Sequence, residues 1–157
     1  MKKLFTSLFC FTWLIAANLA QADDKRPYDE MADAKAAIEA ALKSSATQNK
    51  STLLVFGANW CGDCKVLDME MRQGELAKLV NARLNVVKID TGRNDNNTDL
   101  IAKYGGITKK GIPAVVLLNS AGKVAYQTDG GELADARRMG SEGITRFFTK
   151  MLESSKS

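Results

Sequence analysis

Apolar positions follow two different periods along this chain. Over residues 28 to about 46, Met31, Ile38, Ala41 and Leu42 recur at helical spacing, which predicts an amphipathic helix starting near Tyr28. Residues 44–51 are polar and read as a loop. Residues 52–58 are short, apolar and partly β-branched, the pattern of a strand buried on both faces. Cys61 then opens a helix to about residue 73, with Val66, Leu67, Met69 and Met71 as its apolar surface, and residues 76–80 add a turn or two. Residues 84–89 form the next apolar strand, closed by Asp90. After a polar loop over 92–97 comes a short helix over 98–104, ended by Gly105-Gly106. Residues 114–118 are a third strand, 119–122 a turn, and 123–127 its antiparallel partner. A closing helix over 144–152 presents Ile144, Phe147, Phe148 and Met151 on one face, with Ser141 as its N-cap. The order α-β-α-β-α-β-β-α predicts an α/β fold, a central mixed β-sheet with helices on both faces.

Composition narrows the class. The chain has 157 residues, 45% apolar and 25% charged, enough for one soluble domain. Residues 1–22 read as a secretory signal: Lys2 and Lys3 form the positive start, an apolar stretch runs from Leu4 to Ala17, and Ala20-Gln21-Ala22 is a cleavage site. The alternative is an uncleaved anchor, but the stretch falls short of the roughly 20 apolar residues a spanning helix needs. A lipid anchor on Cys10 is disfavoured by Phe9, where a small residue is wanted. Cleavage after Ala22 leaves a domain over 23–157 in the periplasm or outside the cell, with only Cys61 and Cys64 as thiols. It also removes two lysines and no acid, so the formal charge falls to 4 − 2 = +2, too mild to imply nucleic acid. The absence of histidine excludes a His-assisted nucleophile and a His-ligated metal. A disulfide closing so short a loop removes little chain entropy, which weakly motivates a purely structural role.

The candidate chemistry is Trp60-Cys61-Gly62-Asp63-Cys64-Lys65, directly after the first strand. Cysteines three apart can share the first turn of a helix, close enough to form a disulfide, and the chemistry is dithiol–disulfide exchange. Cys61 is the expected nucleophile, because the backbone N–H groups at a helix start favour its thiolate. Cys64, one turn inward, is the expected resolving thiol. Asp63 has two readings. Its charge opposes both thiolates and makes the dithiol a stronger reductant, or it is solvated and merely favours the first helical turn.

The arrangement resembles the thioredoxin superfamily over most of the mature chain. The Trp-Cys-x-x-Cys-Lys motif follows the first central strand, Tyr104-Gly105 and then Gly111-Ile112-Pro113 stand where that family has its cis-proline segment, and Gly130-Gly131 follows the hairpin. The motif is also similar to that of secreted thioredoxin-like proteins called disulfide isomerases and of the C-terminal domain of the bacterial transmembrane thiol reductase. The resemblance implies a cis Pro113, and an Ile112 backbone that pairs with extended substrate. Three departures stand out. Val55 replaces the family's buried aspartate, Gly62-Asp63 replaces Gly-Pro, and residues 132–140 are an insertion. With Val55 unable to take a proton, Asp68 is the local substitute for deprotonating Cys64, by likeness to an acid of the reductase domain; otherwise Asp68 is a solvated surface acid. Trp60 is a substrate rim or a shield for the motif. Lys65, Lys109 and Lys110 form a positive rim or are simply solvated, and Arg137 and Arg138 are candidate partner contacts.

These readings lead to an extracytoplasmic thiol–disulfide oxidoreductase, reductase-leaning, with a monomer favoured and the oligomeric state left open. Its clients are protein disulfides, and it needs no bound cofactor. Its electrons come from a thiol donor, expected in the membrane. An isomerase or oxidase is the nearest alternative. Others are a binding module with a non-cycling disulfide, and a Cu(I) chaperone, which Pro113 beside the thiols disfavours.

Overall fold

The computed structural model describes residues 26–155; the signal sequence read over residues 1–22 lies outside them. Its centre is strand β1 (Ser51–Gly57). Strand β2 (Leu84–Asp90) runs parallel to it on one side and β3 (Ala114–Leu118) antiparallel on the other. Strand β4 (Val124–Gln127) pairs antiparallel with β3, completing the order β2-β1-β3-β4. A parallel pair needs a crossover, and helices α2 (Gly62–Glu70) and α3 (Gly74–Arg83) supply it between β1 and β2.

Alternation along β1 divides the core into two layers. Leu53 and Val55 face one side and pack with Leu67, Leu76 and Val80 of α2 and α3, and with Ile144, Phe148 and Met151 of α5 (Ala136–Ser154). Leu54 and Phe56 face the other, with Ile38 of α1 (Ala34–Gln48) and Leu100 of α4 (Thr98–Lys103). Both faces are dry, so β1 reads as one continuous apolar run rather than as an alternation with polar residues.

The boundaries depart from the periodicity in three places. Helix α1 starts at Ala34, not near Tyr28, because Asp33 accepts a hydrogen bond from the Ala36 N–H (3.0 Å) and caps it there. Met31 is consequently 92% exposed, outside the apolar face assigned to it. Helix α2 ends at Glu70, and α3 is ten residues long where a turn or two was expected. The closing helix begins at Ala136, so the inserted segment is partly helical. Its break falls on Gly140 (φ 64°, ψ 170°), a conformation that glycine adopts without steric cost. Ser141 is therefore the first residue after the break rather than the cap.

Phe148 is fully buried in the core layer that α5 shares with Leu53 and Val55 of β1 and Val115 and Leu117 of β3. Phe148→Ala should lower unfolding free energy by about 3–5 kcal/mol, read from the shift in urea midpoint. A loss under about 1 kcal/mol would contradict this packing.

Candidate active site

Strand β1 carries the chain to the site, and its last residue is chosen by space. A Cβ added at Gly57 would fall inside the Tyr28 phenol and 3.0 Å from Cys64 Sγ, so only glycine lets the tyrosine and the sulfur approach there. The end of β2 is tied to the same point, since the Thr91 N–H donates to the Gly57 carbonyl (2.8 Å). Residues 58–60 then turn, and the Cys61 N–H donates back to the Ala58 carbonyl (3.1 Å).

Cys61 is the N-cap of α2, with extended φ/ψ of −79° and 115°, and its sulfur accepts a hydrogen bond from the Cys64 N–H (3.1 Å). The two cysteines form a disulfide with Cα atoms 5.2 Å apart. Cys64 is fully enclosed and Cys61 retains 5% exposure. Cys61 lines an open groove of about 490 Å³, together with Trp60, Asn94, Thr108, Ile112 and Arg137. The Ile112–Pro113 peptide bond is cis, and the Ile112 carbonyl oxygen lies 3.5 Å from Cys61 Sγ. Trp60 is 57% exposed yet anchored: its indole N–H donates to the Gly92 carbonyl (2.8 Å), and the Arg93 guanidinium lies 5.3 Å from the ring centre. It bounds the groove as a held aromatic edge.

Asp63 and Asp68, two of the three buried acids of α2, are both ion-paired, each with a cation from outside the helix. The Asp63 carboxylate accepts from the Arg137 backbone N–H (2.9 Å) and from its guanidinium (3.0 Å). Burial pushes the Asp63 carboxyl up, but the Arg137 hydrogen bonds and charge outweigh it and hold the group below the usual carboxylate range. Asp68 pairs with Arg72 (2.5 Å) and with Lys88 of β2. Burial pushes the Lys88 ammonium down. These pairs remove the reading of either acid as solvated. Asp68 lies one turn after Cys64 but lines a separate cavity with Lys88 and Met71, so the structure does not bring it into the groove. Arg138 pairs locally with Asp135 (2.9 Å) and stays on the surface. Among the described residues Arg137 is the cation lining the groove, while Lys65, Lys109 and Lys110 lie outside its lining.

Tyr28 is the residue the periodicity concealed. It lies outside any helix, buried with Cys61 and Cys64, with Ile112 packed against the cluster. Asn59 holds it through two reciprocal bonds, Tyr28 N–H to Oδ1 (3.0 Å) and Nδ2 to the Tyr28 carbonyl (2.8 Å). Burial, and then the Asp90 charge, push its phenol well above the ordinary tyrosine range, so it stands neutral beneath the disulfide. The one sequence signal for it was Asn59, a polar side chain before the motif with a backbone to satisfy. Arg137 had a comparable signal, because a first-turn acid in a buried motif needs a cation from elsewhere.

A mixed sheet that presents a disulfide at a helix start, beside a cis-proline, defines a thiol–disulfide exchange protein. The sequence profile of the family described as thioredoxin-like matches residues 33–120. The crystal structure of a disulphide isomerase from Xylella fastidiosa Temecula1 is 50% identical, with 80% of this chain and 96% of that one covered and a TM-score of 0.77. The oxidised C-terminal domain of DsbD from Neisseria meningitidis has a similar fold, at 21% identity over 74% of this chain and 94% of that one (TM-score 0.51). No curated protein matches the chain. The chain belongs to the thioredoxin-like family, and with its Cys61–Cys64 pair it is a thiol–disulfide oxidoreductase of that superfamily.

The Asp63–Arg137 pair gives stability a defined pH dependence. A carboxyl whose folded value is depressed stabilises the fold above its unfolded value, about 3.9, and that stability disappears as pH falls through the lower folded value. Urea midpoints measured from pH 6 down to pH 2 should therefore fall more for wild type than for Asp63→Asn. Parallel curves would mean that the pair is not formed in solution.

Proposed function

We propose that the protein reduces or exchanges disulfides of protein clients outside the cytoplasm, after removal of residues 1–22. The observation that carries this reading is the Cys61–Cys64 disulfide at the start of α2, with Cys61 at the groove and Cys64 enclosed behind it. In the reduced form the Cys61 thiolate attacks one sulfur of a client disulfide. A mixed disulfide forms, and the other client sulfur leaves as a thiolate. Cys64 then gives up its proton and attacks Cys61 Sγ, which restores the Cys61–Cys64 bond and releases the second client sulfur. Two electrons and two protons pass to the client in all. A thiol donor, proposed to be membrane-bound, returns them, and no cofactor is required.

The groove supports substrate roles for Trp60 and Ile112, which line it, and Pro113 is proposed to act with them as the cis residue that follows Ile112. Ile112 presents a backbone carbonyl beside the reacting sulfur, where an extended client segment could add as a strand. Asp68 is proposed to accept the Cys64 proton, held one turn beyond it by its two cations. The reductase leaning no longer draws on a bare Asp63 charge, because Arg137 offsets it. It draws on the lack of any histidine to stabilise a thiolate strongly. Disulfide isomerisation is the second reading, favoured by the 50% identical Xylella protein described as a disulphide isomerase.

The equilibrium reduction potential of Cys61–Cys64, measured against glutathione and dithiothreitol buffers, tests the reading. A value near about −270 mV is expected; one between roughly −180 and −120 mV would assign the protein to isomerisation or oxidation instead. For Asp68→Asn, single-turnover quenching should show unchanged formation of the mixed disulfide and about 100-fold slower resolution. Resolution at the wild-type rate would remove Asp68 from the mechanism.

A further inference from the structure

The acid inside the redox motif is answered by a cation from outside it. An unpaired carboxylate at Asp63 would oppose the Cys61 thiolate, since like charges in a poorly hydrated site disfavour each other. Arg137 bonds both carboxylate oxygens, one through its backbone and one through its guanidinium. The same guanidinium covers Gly62, the residue between Cys61 and Asp63. A Cβ at Gly62 would lie 3.2 Å from the terminal guanidinium nitrogen and 3.3 Å from its carbon. Arg137 therefore sits over the peptide that joins the nucleophile to the acid. The segment carrying it is built in, with Leu133 and Ala136 fully buried in the core shared with Leu67 of α2.

We propose that Arg137 is a positioning residue of the exchange reaction, cancelling the Asp63 charge beside Cys61 so that Cys61 remains an accessible thiolate. The proposal rests on Cys61 as the attacking thiol. It leaves the electron and proton count of exchange unchanged, and alters only the ionised fraction of Cys61 and hence its rate of attack. The other titratable or charged groups around the motif are the neutral Tyr28 phenol from the N-terminal segment, Asp90 at the end of β2, whose charge acts on that phenol, Cys64, Lys65 and the Lys88-paired Asp68 on α2, and Arg93 across the Trp60 ring. Of the charged ones among the described residues, only Asp63 and Arg137 line the groove with Cys61. A merely structural clasp makes a different forecast from a charge pair. If the contact only ties the inserted segment down, loss of either partner has the same effect on Cys61. If it balances charge, the two losses act in opposite directions.

The experiment uses Cys64→Ser protein, in which Cys61 is the single thiol of the mature chain and no redox turnover is needed. The pH profile of its alkylation by iodoacetamide reads Cys61 ionisation. Adding Arg137→Gln should move the midpoint up by about 0.5–1 pH unit, slowing alkylation roughly three- to tenfold at a fixed pH below both midpoints. Adding Asp63→Asn should move it down by a similar amount, and Arg137→Lys, which keeps the charge, should stay near the parent. Shifts of the same sign for Arg137→Gln and Asp63→Asn, or no shift in either, overturn the proposal. Should Arg137→Gln fail to fold by circular dichroism, Asp63→Asn decides alone: a midpoint that does not fall overturns it. Failure of the intact pair to reduce any client disulfide would sink the oxidoreductase reading, while this measurement would still decide the role of Arg137.

Discussion

Cys61 ends a turn through its backbone N–H and begins a helix through its sulfur. Its sulfur accepts the Cys64 N–H, so one hydrogen bond both caps α2 and sets the register of the two cysteines. The rest of the structure maintains that junction. Strand β1, buried on both faces, fixes where the turn leaves the sheet. Gly57 leaves room for Tyr28 and Cys64 to meet beneath it. The Gly111–Pro113 segment closes the other side, with the Ile112 carbonyl beside the outer sulfur. A displaced β1 would move all of these together.

Helix α2 is held to its surroundings by charge as well as by packing. Leu67 anchors it in the core, while Asp63 reaches the inserted segment and Asp68 reaches β2. Pairs like these add little net stability over an apolar alternative, but breaking one strands a buried charge. They therefore act mainly to fix orientation. In the proposed mechanism, where attack depends on the ionisation of Cys61, they also set the local field. Asp63 and Asp68 on the redox helix are each matched by a cation from a different part of the chain, so neither leaves a bare charge next to the disulfide.

Most of the architecture was legible because its signals are local. The apolar run of β1, the Cys-x-x-Cys spacing and the hairpin after Pro113 each depend on neighbours within a few residues. The boundaries that moved did so through competing local signals. Asp33 is a stronger helix start than the periodicity around Met31, and Gly140 interrupts α5 one residue before Ser141. Cys61 and Cys64 could be placed with their order of burial, since a cap and a first-turn residue differ in exposure by geometry.

What escaped the sequence was the pairing of side chains far apart in it that the family resemblance did not supply. Tyr28 lies 31 positions before Asn59, and Arg137 lies 74 after Asp63. No periodicity encodes such pairings, because helix and strand patterns report only which face of an element is apolar. Whether an acid on that element is solvated or neutralised depends on what packs over it. The chain's local pattern was sufficient to specify a disulfide at a helix start on a mixed sheet. The environment of that disulfide, with a neutral phenol beneath it and a guanidinium cancelling the acid beside it, exists only once distant segments converge.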